Sequence, residues 1–562
     1  MYLRITQRTN RDGSTVRYLQ LAHNVRHPRT GAATARVLYN FGREDQLDRE
    51  ALERLVRSIR RVLGPESELA GKTEDGAELR FIASRPMGGA FVLDALWSSL
   101  GIRRVLLGLL EGRRFATPVE RLLFALVANR ALAPSSKLAL EGWVASEVVI
   151  PGLAGVAVQQ LYRAMDVLLG SDEAIQREVF HSVAHLLNLE VDLLFFDTTS
   201  TYFEIEDEDG FRRFGYSRDQ REDRPQAVIG LAVTREGIPV RCWSWPGNTA
   251  DVSVIEEVKR DLVGWKLGRV VTVLDRGFVS EANLKTLQRA GGHYIVGERL
   301  GSGKADVRAV VARPGTYRHV RDNVEVKEVI IGDGEARRRY VVVRNPQEAE
   351  RDRQRRETTV KALEERLTAL RRTKGQEHTK AHCALRSHPL YGRYLTMAPS
   401  GALRLDRAKL KDEARLDGKY VLRTSDDTLS SEDVALGYKQ LIEVEDAFRT
   451  LKQKLELRPV YHRTEERIRA HVLLCWLALL LVRVIEIRTE RTWPVVRAAL
   501  QQMHLGLFEG AAGRFQQRTE TSAEQRQLFK ALAIAEPPTV LEMTAATGPR
   551  PRPANHRLRR PL

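Results

Sequence analysis

Hydrophobic and polar positions divide the 562-residue chain into stretches of different character. Residues 1–75 are patterned as a small β/α domain, in which VRYLQLAHNVRH and ARVLYNFG have strand composition and Asp48 begins a helix. Residues 88–190 follow a helical period, and we expect a helical, DNA-binding region there. The breaks in this helical pattern fall near prolines, namely Pro118, Pro134 and Pro151.

Residues 191–300 read instead as buried strands. VDLLFFDTT is apolar without alternation, which indicates a strand buried on both faces. AVIGLAVT and IPVRCWSW, separated by REG, predict a hairpin. A helix over Asp251–Leu262 follows, and then RVVTVLDRG and GGHYIVGE as two further strands. The order strand, hairpin, helix, strand, strand predicts an α/β fold with a mixed sheet flanked by helices.

Residues 301–415 interrupt this scheme. VRAVV, VEVKEVIIG and RRRYVVVR alternate like antiparallel strands, and a highly charged helix follows. The charges from Arg351 to Arg372 indicate a solvated helix face or, alternatively, a surface that faces DNA. The α/β pattern resumes over 416–490, a helical region is predicted over 491–545, and the Pro/Arg-rich segment 546–562 predicts a disordered basic tail.

The chain is strongly basic, with 90 lysines and arginines against 73 acids and a net charge of +17. Such a balance is typical of proteins that bind a polyanion, although solubility or an arginine-rich proteome would also explain it. The three cysteines are far apart and form no CxxC pair, which argues against a disulfide framework or a zinc knuckle. The N-terminus has no apolar signal segment, and the run Val472–Val482 is too short to span a bilayer. We therefore expect a cytoplasmic, nucleoid-associated protein with no membrane partner.

One predicted helix carries several candidate site residues. Tyr438, Glu445 and Lys452 are spaced seven apart, so on one α-helix they share a face with a drift of about 20° per step. Arg449 follows Glu445 by one turn, and either the two form an ordinary surface ion pair or both serve a site. Apolar residues occupy the opposite face and should pack inward: Leu441, Val444, Phe448, Leu451 and Leu455.

Two further carboxylates follow apolar strands. Asp197 ends VDLLFFD and Asp275 ends RVVTVLD, and ligands of open α/β sheets bind at such carboxyl ends. Adjacent carboxylates there would raise a pKa unless a cation lies between them. With Glu445 they provide three oxygen ligands, as Mg²⁺ or Mn²⁺ prefers. Two such ions about 3.5–4 Å apart would support an in-line displacement at phosphorus.

Other chemistries have weaker support. GERLGSGKAD lacks the first glycine of a Walker motif, and neither HExxH nor GxSxG occurs. His293 is expected to be structural, and Trp243 and Trp245 to be core residues. The segment 129–143, with Arg130, Lys137 and Trp143, indicates either a capped helix or a DNA contact.

The motifs LLFFDTTSTYFE, WPGNTAD, VTVLDRGF and YKQLIEVEDAFRTLK resemble those of bacterial insertion-sequence transposases of the DDE class. The resemblance is to the group with a Tyr-x2-Arg-x3-Glu-x6-Lys signature and a β-rich insertion. It implies a ribonuclease-H-like core interrupted by that insertion, with Asp197, Asp275 and Glu445 binding two Mg²⁺ or Mn²⁺ ions. It also implies that Tyr438 and Lys452 contact the DNA backbone.

The signature arginine falls on Leu441, so Arg449 is the candidate substitute. The resemblance further implies cut-and-paste transposition by a homodimer, with double-stranded DNA as partner, both the terminal inverted repeats and the target. Two alternatives stay open: a metal-dependent nuclease that does not join DNA, and a catalytically inactive, transposase-derived DNA-binding protein.

Overall fold

A computed structural model of the chain describes residues 2–9, 15–26, 33–48, 52, 79–113, 115, 117–187, 192–265, 270–300, 305–510 and 513–545. The chain divides into two compact units, one formed by Met1–Ser171 with Leu480–Leu562 and the other by Asp172–Leu479. The helix predicted after Asp48 and the tail over 546–562 lie outside the described residues, Leu52 excepted.

The strands are β1 (Tyr2–Thr9), β2 (Thr15–Arg26), β3 (Ala33–Arg43), β4 (Arg80–Pro86), β5 (Leu193–Tyr202), β6 (Gln226–Val233), β7 (Pro239–Pro246), β8 (Val271–Leu274), β9 (His293–Glu298), β10 (Arg318–Arg321), β11 (Val324–Ile331), β12 (Arg338–Arg344), β13 (Leu395–Met397), β14 (Leu403–Leu405), β15 (Lys419–Thr424), β16 (His504–Gly510), β17 (Gly513–Arg518) and β18 (Val540–Ala545).

The helices are α1 (Gly88–Ser99), α2 (Ile102–Leu110), α3 (Val119–Leu132), α4 (Lys137–Ser146), α5 (Val158–Leu169), α6 (Asp172–Leu187), α7 (Ile255–Gly264), α8 (Glu281–Gln288), α9 (Ala305–Ala312), α10 (Pro346–Leu370), α11 (Gly375–Ser387), α12 (Arg407–Ala414), α13 (Ser431–Lys439), α14 (Ile442–Arg449), α15 (Glu465–Thr489), α16 (Trp493–Gln501) and α17 (Ala523–Ala531).

The first unit combines helices with two antiparallel sheets, β1-β2-β3 and β18-β17-β16-β4. Helices α1 to α5 confirm the helical pattern read from the sequence, and Pro118 immediately precedes α3 as its N-terminal cap residue. The prediction of a helical region over 491–545 is wrong in part, because three strands form there. β16 pairs with the next strand, β17, and also with β4, where His504 lies opposite Pro86. Only the second partner, distant in sequence, leaves no local signal.

The second unit is built on a nine-stranded mixed sheet in the order β10-β11-β12-β15-β9-β8-β5-β6-β7. β5, β8 and β9 run parallel, and the remaining neighbours pair antiparallel. The predicted order of strand, hairpin, helix, strand, strand is confirmed by β5 to β9. Trp243 and Trp245 stack in the core on this sheet, 6.2 Å apart between ring centroids, as expected.

The segment between β9 and β15 contributes three strands to the same sheet rather than to a separate one. β12 pairs with β15, and β15 pairs antiparallel with β9. VRAVV, predicted as a strand, lies in helix α9, with Val307 and Val310 buried on one face. A five-residue apolar pattern fits both structures, so its length alone could not decide between them.

The charged helix α10 packs with α11 and the β13–β14 hairpin around a small apolar cluster. Leu363, Leu367 and Leu370 are its buried residues, and most of the charged positions from 351 to 372 are exposed. Among the described helices, α15 is long and apolar enough to cross a membrane, but 83% of its apolar window is buried inside the protein. Burial of that extent is typical of a core helix.

Candidate active site

Two aspartates lie at the same edge of the large sheet. β5 and β8 are parallel neighbours with Phe196 opposite Leu274, so Asp197 and Asp275 occupy the next position on each chain. Neighbouring strands lie about 4.8 Å apart. The sequence predicted that Asp197 ends its strand, but β5 continues to Tyr202 through its pairing with β6. Only the parallel pairing with β8 stops before Asp197.

Asp197 is mostly buried, with 22% of its side chain exposed. Burial raises its pKa to about 6, the nearby carboxylates of Asp251 and Asp275 act in the same direction, and the Arg218 guanidinium and the Thr198 amide oppose them. The amide donates to Oδ1 at 2.7 Å, and Nη1 of Arg218 lies 3.5 Å from the same oxygen. Arg218 therefore places a cation beside Asp197, whereas a cation between Asp197 and Asp275 stays a prediction.

Arg218 and Asp251 were not recognised as site residues from the sequence. Nη2 of Arg218 lies 2.6 Å from Oδ2 of Asp251, and the Thr198 hydroxyl donates to Oδ1 of Asp251 at 2.6 Å. Asp251 begins a 3₁₀ turn, Asp251–Ser253, just after β7. The signal for Asp251 was present, because it ends the motif WPGNTAD, whereas nothing in the sequence singled out Arg218.

Asp275 follows β8 directly and caps the 3₁₀ turn Arg276–Phe278. The Tyr438 hydroxyl donates to Oδ1 of Asp275 at 3.1 Å. Burial and the neighbouring carboxylate raise the pKa of Tyr438, so the phenol stays protonated and acts as a donor. An open cleft of about 660 Å³ adjoins this pair, with Lys419 and Tyr420 also in its wall.

Glu445 lies on a neighbouring element, helix α14, which packs against β5 and β6. Its side chain is exposed and has no hydrogen-bond or ion-pair partner in the described part of the chain. The single helix expected from Tyr438 to Lys452 is not continuous. A turn at Gln440 and Leu441 separates α13 from α14, and a π-helical turn covers Thr450–Lys454.

The inward-facing residues of this region are all buried, which confirms the apolar pattern despite the breaks. They are Leu441, Val444, Phe448, Leu451 and Leu455. Of the polar residues here, Tyr438 donates its hydroxyl to Asp275, while Glu445 remains exposed.

Lys452 is largely buried, with 13% of its side chain exposed, and its ammonium lies 2.9 Å from Oδ1 of Asp219. Burial lowers its pKa, and Asp219 opposes that shift. The other oxygen of Asp219 lies 2.6 Å from Nη1 of Arg458. Arg449 pairs with Asp446 at 2.5 Å, so the surface ion pair considered for Glu445 and Arg449 is not formed.

The carboxylates at the sheet edge are suited to a hard divalent cation, because they are oxygen donors and one of them is held in a mostly buried position. Burial and two further carboxylates disfavour the charge on Asp197, and a bound cation would relieve that cost. Within the described ranges, however, no three histidine, cysteine or acidic side chains are close enough together to hold a metal. Asp197, Asp275 and Glu445 are thus not brought together as a metal-holding group of three in the structure.

The segment 129–143 matches the capped-helix interpretation. Arg130, Lys137 and Trp143 are at most 6% exposed, and the Ser136 hydroxyl accepts from the Ala139 amide at 3.1 Å. His293 lies at the start of β9, with Nδ1 3.3 Å from the Ser425 carbonyl oxygen, as a structural histidine would.

Comparison with known families decides the class of protein. The model of the transposase DDE domain matches residues 192–481, which is more than half of the chain and includes Asp197, Asp275 and Glu445. The chain belongs to the DDE transposases. The N-terminal domain of IS1634 family transposases also matches, over residues 3–69. The protein is therefore an insertion-sequence DDE transposase, an enzyme that acts on DNA, and DDE domains generally depend on divalent metals.

Other comparisons add little. The piggyBac transposase, solved by cryo-EM as a synaptic complex with hairpin DNA, is similar over 74% of this transposase and 79% of that chain, at 10% identity and a TM-score of 0.35. A likeness this weak carries no argument. None of the curated proteins matches the transposase.

Proposed function

We propose that this transposase cleaves DNA at the ends of its insertion sequence and joins those ends to target DNA. The observation that carries the proposal is the adjacency of Asp197 and Asp275 on parallel strands that are in register. Two carboxylates at one sheet edge, beside an open cleft, suit phosphoryl transfer better than a binding role alone.

In the proposed reaction, water attacks the phosphorus at the element end and the P–O3′ bond breaks. The element strand keeps the 3′-hydroxyl and the flanking strand keeps the 5′-phosphate. That 3′-hydroxyl then attacks phosphorus in the target strand, so that a new P–O3′ bond replaces the one broken there. Two divalent cations, Mg²⁺ or Mn²⁺, would supply Lewis acidity to the attacking and leaving oxygens.

Asp197, Asp275 and Glu445 are the proposed ligands of these cations. Glu445 has to approach the two aspartates, and α14 is suited to such a shift because it spans only eight residues between a turn and a π-helical segment. π-Helical turns occur frequently at functional sites. The exposed, unpartnered carboxylate of Glu445 needs to break no interaction among the described residues before it moves.

Tyr438, Arg449 and Lys452 are the proposed contacts to the DNA backbone. Arg449 is 56% exposed and would exchange only a surface contact with Asp446 for phosphate, whereas Lys452 has to leave its buried pair with Asp219. Tyr438 lines the cleft beside Asp275, so a DNA strand in that cleft would meet its hydroxyl. Arg449 would take the place of the signature arginine that Leu441 replaces.

The finer classification is also a proposal. The five-strand order β7-β6-β5-β8-β9 supports a ribonuclease-H-like core, with the segment between β9 and β15 as its insertion. The order and spacing of Tyr438, Glu445 and Lys452 support the Tyr-Arg-Glu-Lys group. Because two element ends must be joined in concert, we propose a homodimer that holds both inverted repeats. It would act on chromosomal DNA in the cytoplasm, at the nucleoid.

A joining assay tests this function. A labelled duplex of the element end, with a free 3′-hydroxyl, is incubated with supercoiled plasmid and Mg²⁺, and covalent linkage of label to plasmid is expected. The same duplex with a dideoxy 3′ end is the control and should give no linkage. Nicked plasmid without linkage would indicate the nuclease alternative, and DNA binding without any strand cleavage would indicate the inactive one.

A further inference from the structure

The carboxylate of Asp251 lies beside the proposed metal ligands but has no part in the mechanism above. Its Oδ1 accepts from the Thr198 hydroxyl, and Thr198 is the residue after Asp197. Its Oδ2 lies 3.5 Å from the position that a Cβ atom on Gly277 would take, two residues after Asp275. The carboxylate of Asp251 therefore lies close both to the residue after Asp197 and to the turn after Asp275.

The guanidinium of Arg218 is shared unequally between two acids. Nη2 lies 2.6 Å from Asp251, within charge-assisted hydrogen-bond distance, whereas Nη1 lies 3.5 Å from Asp197. The stronger interaction is thus the one with Asp251. A guanidinium that closed fully on Asp197 would occupy the oxygens a divalent cation needs.

The backbone at Arg218 is held by a hydrogen bond of its own amide and by the ion pairs of the next residue. Its backbone amide donates to the Ser200 hydroxyl on β5 at 2.9 Å. The next residue, Asp219, is held by Lys452 and Arg458. With the backbone anchored in this way, the guanidinium has two carboxylates near it, and the choice between them depends on the charge of Asp251.

We propose that Asp251 is a positioning residue that holds Arg218 away from Asp197 and so keeps Asp197 available to a divalent cation. The inference rests on the proposed function, because it takes Asp197 as a metal ligand. It assigns a role to the last residue of the WPGNTAD motif and names Arg218 as the cation that competes with the metal. Asp251 acts through Arg218 and touches no reacting atom.

The test compares Mn²⁺ binding among variants of the full-length protein without DNA, with free Mn²⁺ measured by electron paramagnetic resonance. In Asp251→Asn, Arg218 loses its anionic partner and turns to Asp197, so the dissociation constant for Mn²⁺ should rise about tenfold, equivalent to about 1.4 kcal/mol. The double variant Arg218→Gln/Asp251→Asn removes the competitor. Its dissociation constant should return to within about twofold of the wild-type value.

Asp192→Asn is the matched control. Oδ2 of Asp192 lies 2.6 Å from Nη2 of Arg235, the same distance as in the Asp251 pair, but Asp192 precedes β5 at its opposite end. This variant should bind Mn²⁺ like the wild type. Thermal unfolding of each variant shows whether the fold is retained, and the recovery in the double variant could not arise from a merely structural role.

The outcomes separate the inference from the function on which it rests. If Asp197→Asn abolishes Mn²⁺ binding and Asp251→Asn leaves it unchanged, the positioning role is overturned and the metal site stands. If the double variant binds as weakly as Asp251→Asn alone, competition by Arg218 is overturned. If Asp197→Asn binds Mn²⁺ like the wild type, the proposed metal site itself is wrong.

Discussion

The ammonium group of Lys452 lies 2.9 Å from one oxygen of Asp219, and Arg458 lies 2.6 Å from the other. Both Lys452 and Asp219 are nearly buried, at 13% and 11% side-chain exposure. Breaking a buried pair leaves a charge without compensation, which costs about 3–5 kcal/mol. We expect Asp219→Asn to lower the free energy of unfolding in urea by at least about 2 kcal/mol, because residual exposure reduces that cost.

The control for this measurement is Asp446→Asn. Its partner Arg449 is 56% exposed, so the loss should stay below about 1 kcal/mol. Equal losses in the two variants would mean that the contact between Asp219 and Lys452 is no more important than a surface ion pair.

Removal of any one proposed metal ligand should abolish DNA cleavage and leave DNA binding nearly unchanged. Asp275→Asn and Glu445→Gln keep side-chain size and remove the charge, so DNA cleavage with Mg²⁺ should fall by at least about 10²-fold. DNA binding, measured by gel shift, should change little. Glu443→Gln, two residues from Glu445, should cleave normally, and cleavage that survived in Asp275→Asn would discredit the site assignment.

Asp197 should make the metal-free protein less stable at neutral pH. Its folded pKa of about 6 lies above the ordinary aspartate value of 3.8, so the folded state holds the proton more tightly. The stabilisation from that proton is complete below about pH 4 and is lost as the pH rises through about 6. In EDTA at pH 7.5, Asp197→Asn should therefore be more stable than wild type by about 2–3 kcal/mol.

Chemical unfolding at two pH values tests whether Asp197 destabilises the metal-free protein at neutral pH. The advantage of Asp197→Asn should disappear at about pH 3, where the wild-type carboxyl is protonated in both the folded and the unfolded state. Mg²⁺ should stabilise the wild type and leave the variant unchanged, because a ligand stabilises only the state that binds it. A constant difference at both pH values would contradict the raised pKa.

A substitution at Gly297 can test the role of Tyr438 while the tyrosine itself is kept. A Cβ atom on Gly297 would overlap the hydroxyl oxygen of Tyr438, so Gly297→Ala should push the ring away from Asp275. We expect cleavage to fall by about tenfold with the fold intact, as measured by initial rates and circular dichroism. Gly264→Ala, where a Cβ atom would meet open space, is the matched control and should have the wild-type rate.

The net charge of +17 should make DNA binding strongly dependent on salt. Release of counterions from neutralised phosphates should weaken affinity by about 10³-fold or more between about 50 and 200 mM salt. Fluorescence anisotropy with a labelled duplex measures the slope. An affinity that does not change over this range would exclude phosphate contacts as the main source of binding.

The strands that carry the aspartates could be predicted because their signals are local. Long apolar runs that end in an acid predicted β5 and β8, and a clear helical period predicted the buried residues after Tyr438. The helix breaks at Gln440 and at Thr450–Lys454 had no comparable signal, since no proline or glycine marks them. The partners of Tyr438 and Lys452, namely Asp275 and Asp219, therefore could not be predicted from the helical period.

The remaining differences arise from contacts distant in sequence. Arg218 lies in a loop whose composition resembles any polar surface segment, and its role depends on Asp251 on another element. Likewise β4 pairs with β16, although the two strands are far apart in sequence. Such features depend on contacts between residues far apart in the chain. In a single sequence, each of the two partners looks like an ordinary polar residue or a short apolar run.

The pairing of β15 with β9 has a consequence for any attempt to shorten the enzyme. β15 covers the backbone hydrogen-bonding groups along one side of β9, an outer strand of the parallel set β9-β8-β5, and β12 in turn covers β15. A truncated protein without residues 305–424 would expose the unpaired side of β9, next to β8 and the proposed metal ligand Asp275. Exposed edges of this kind recruit other chains, so trimming would give aggregates instead of a minimal recombinase.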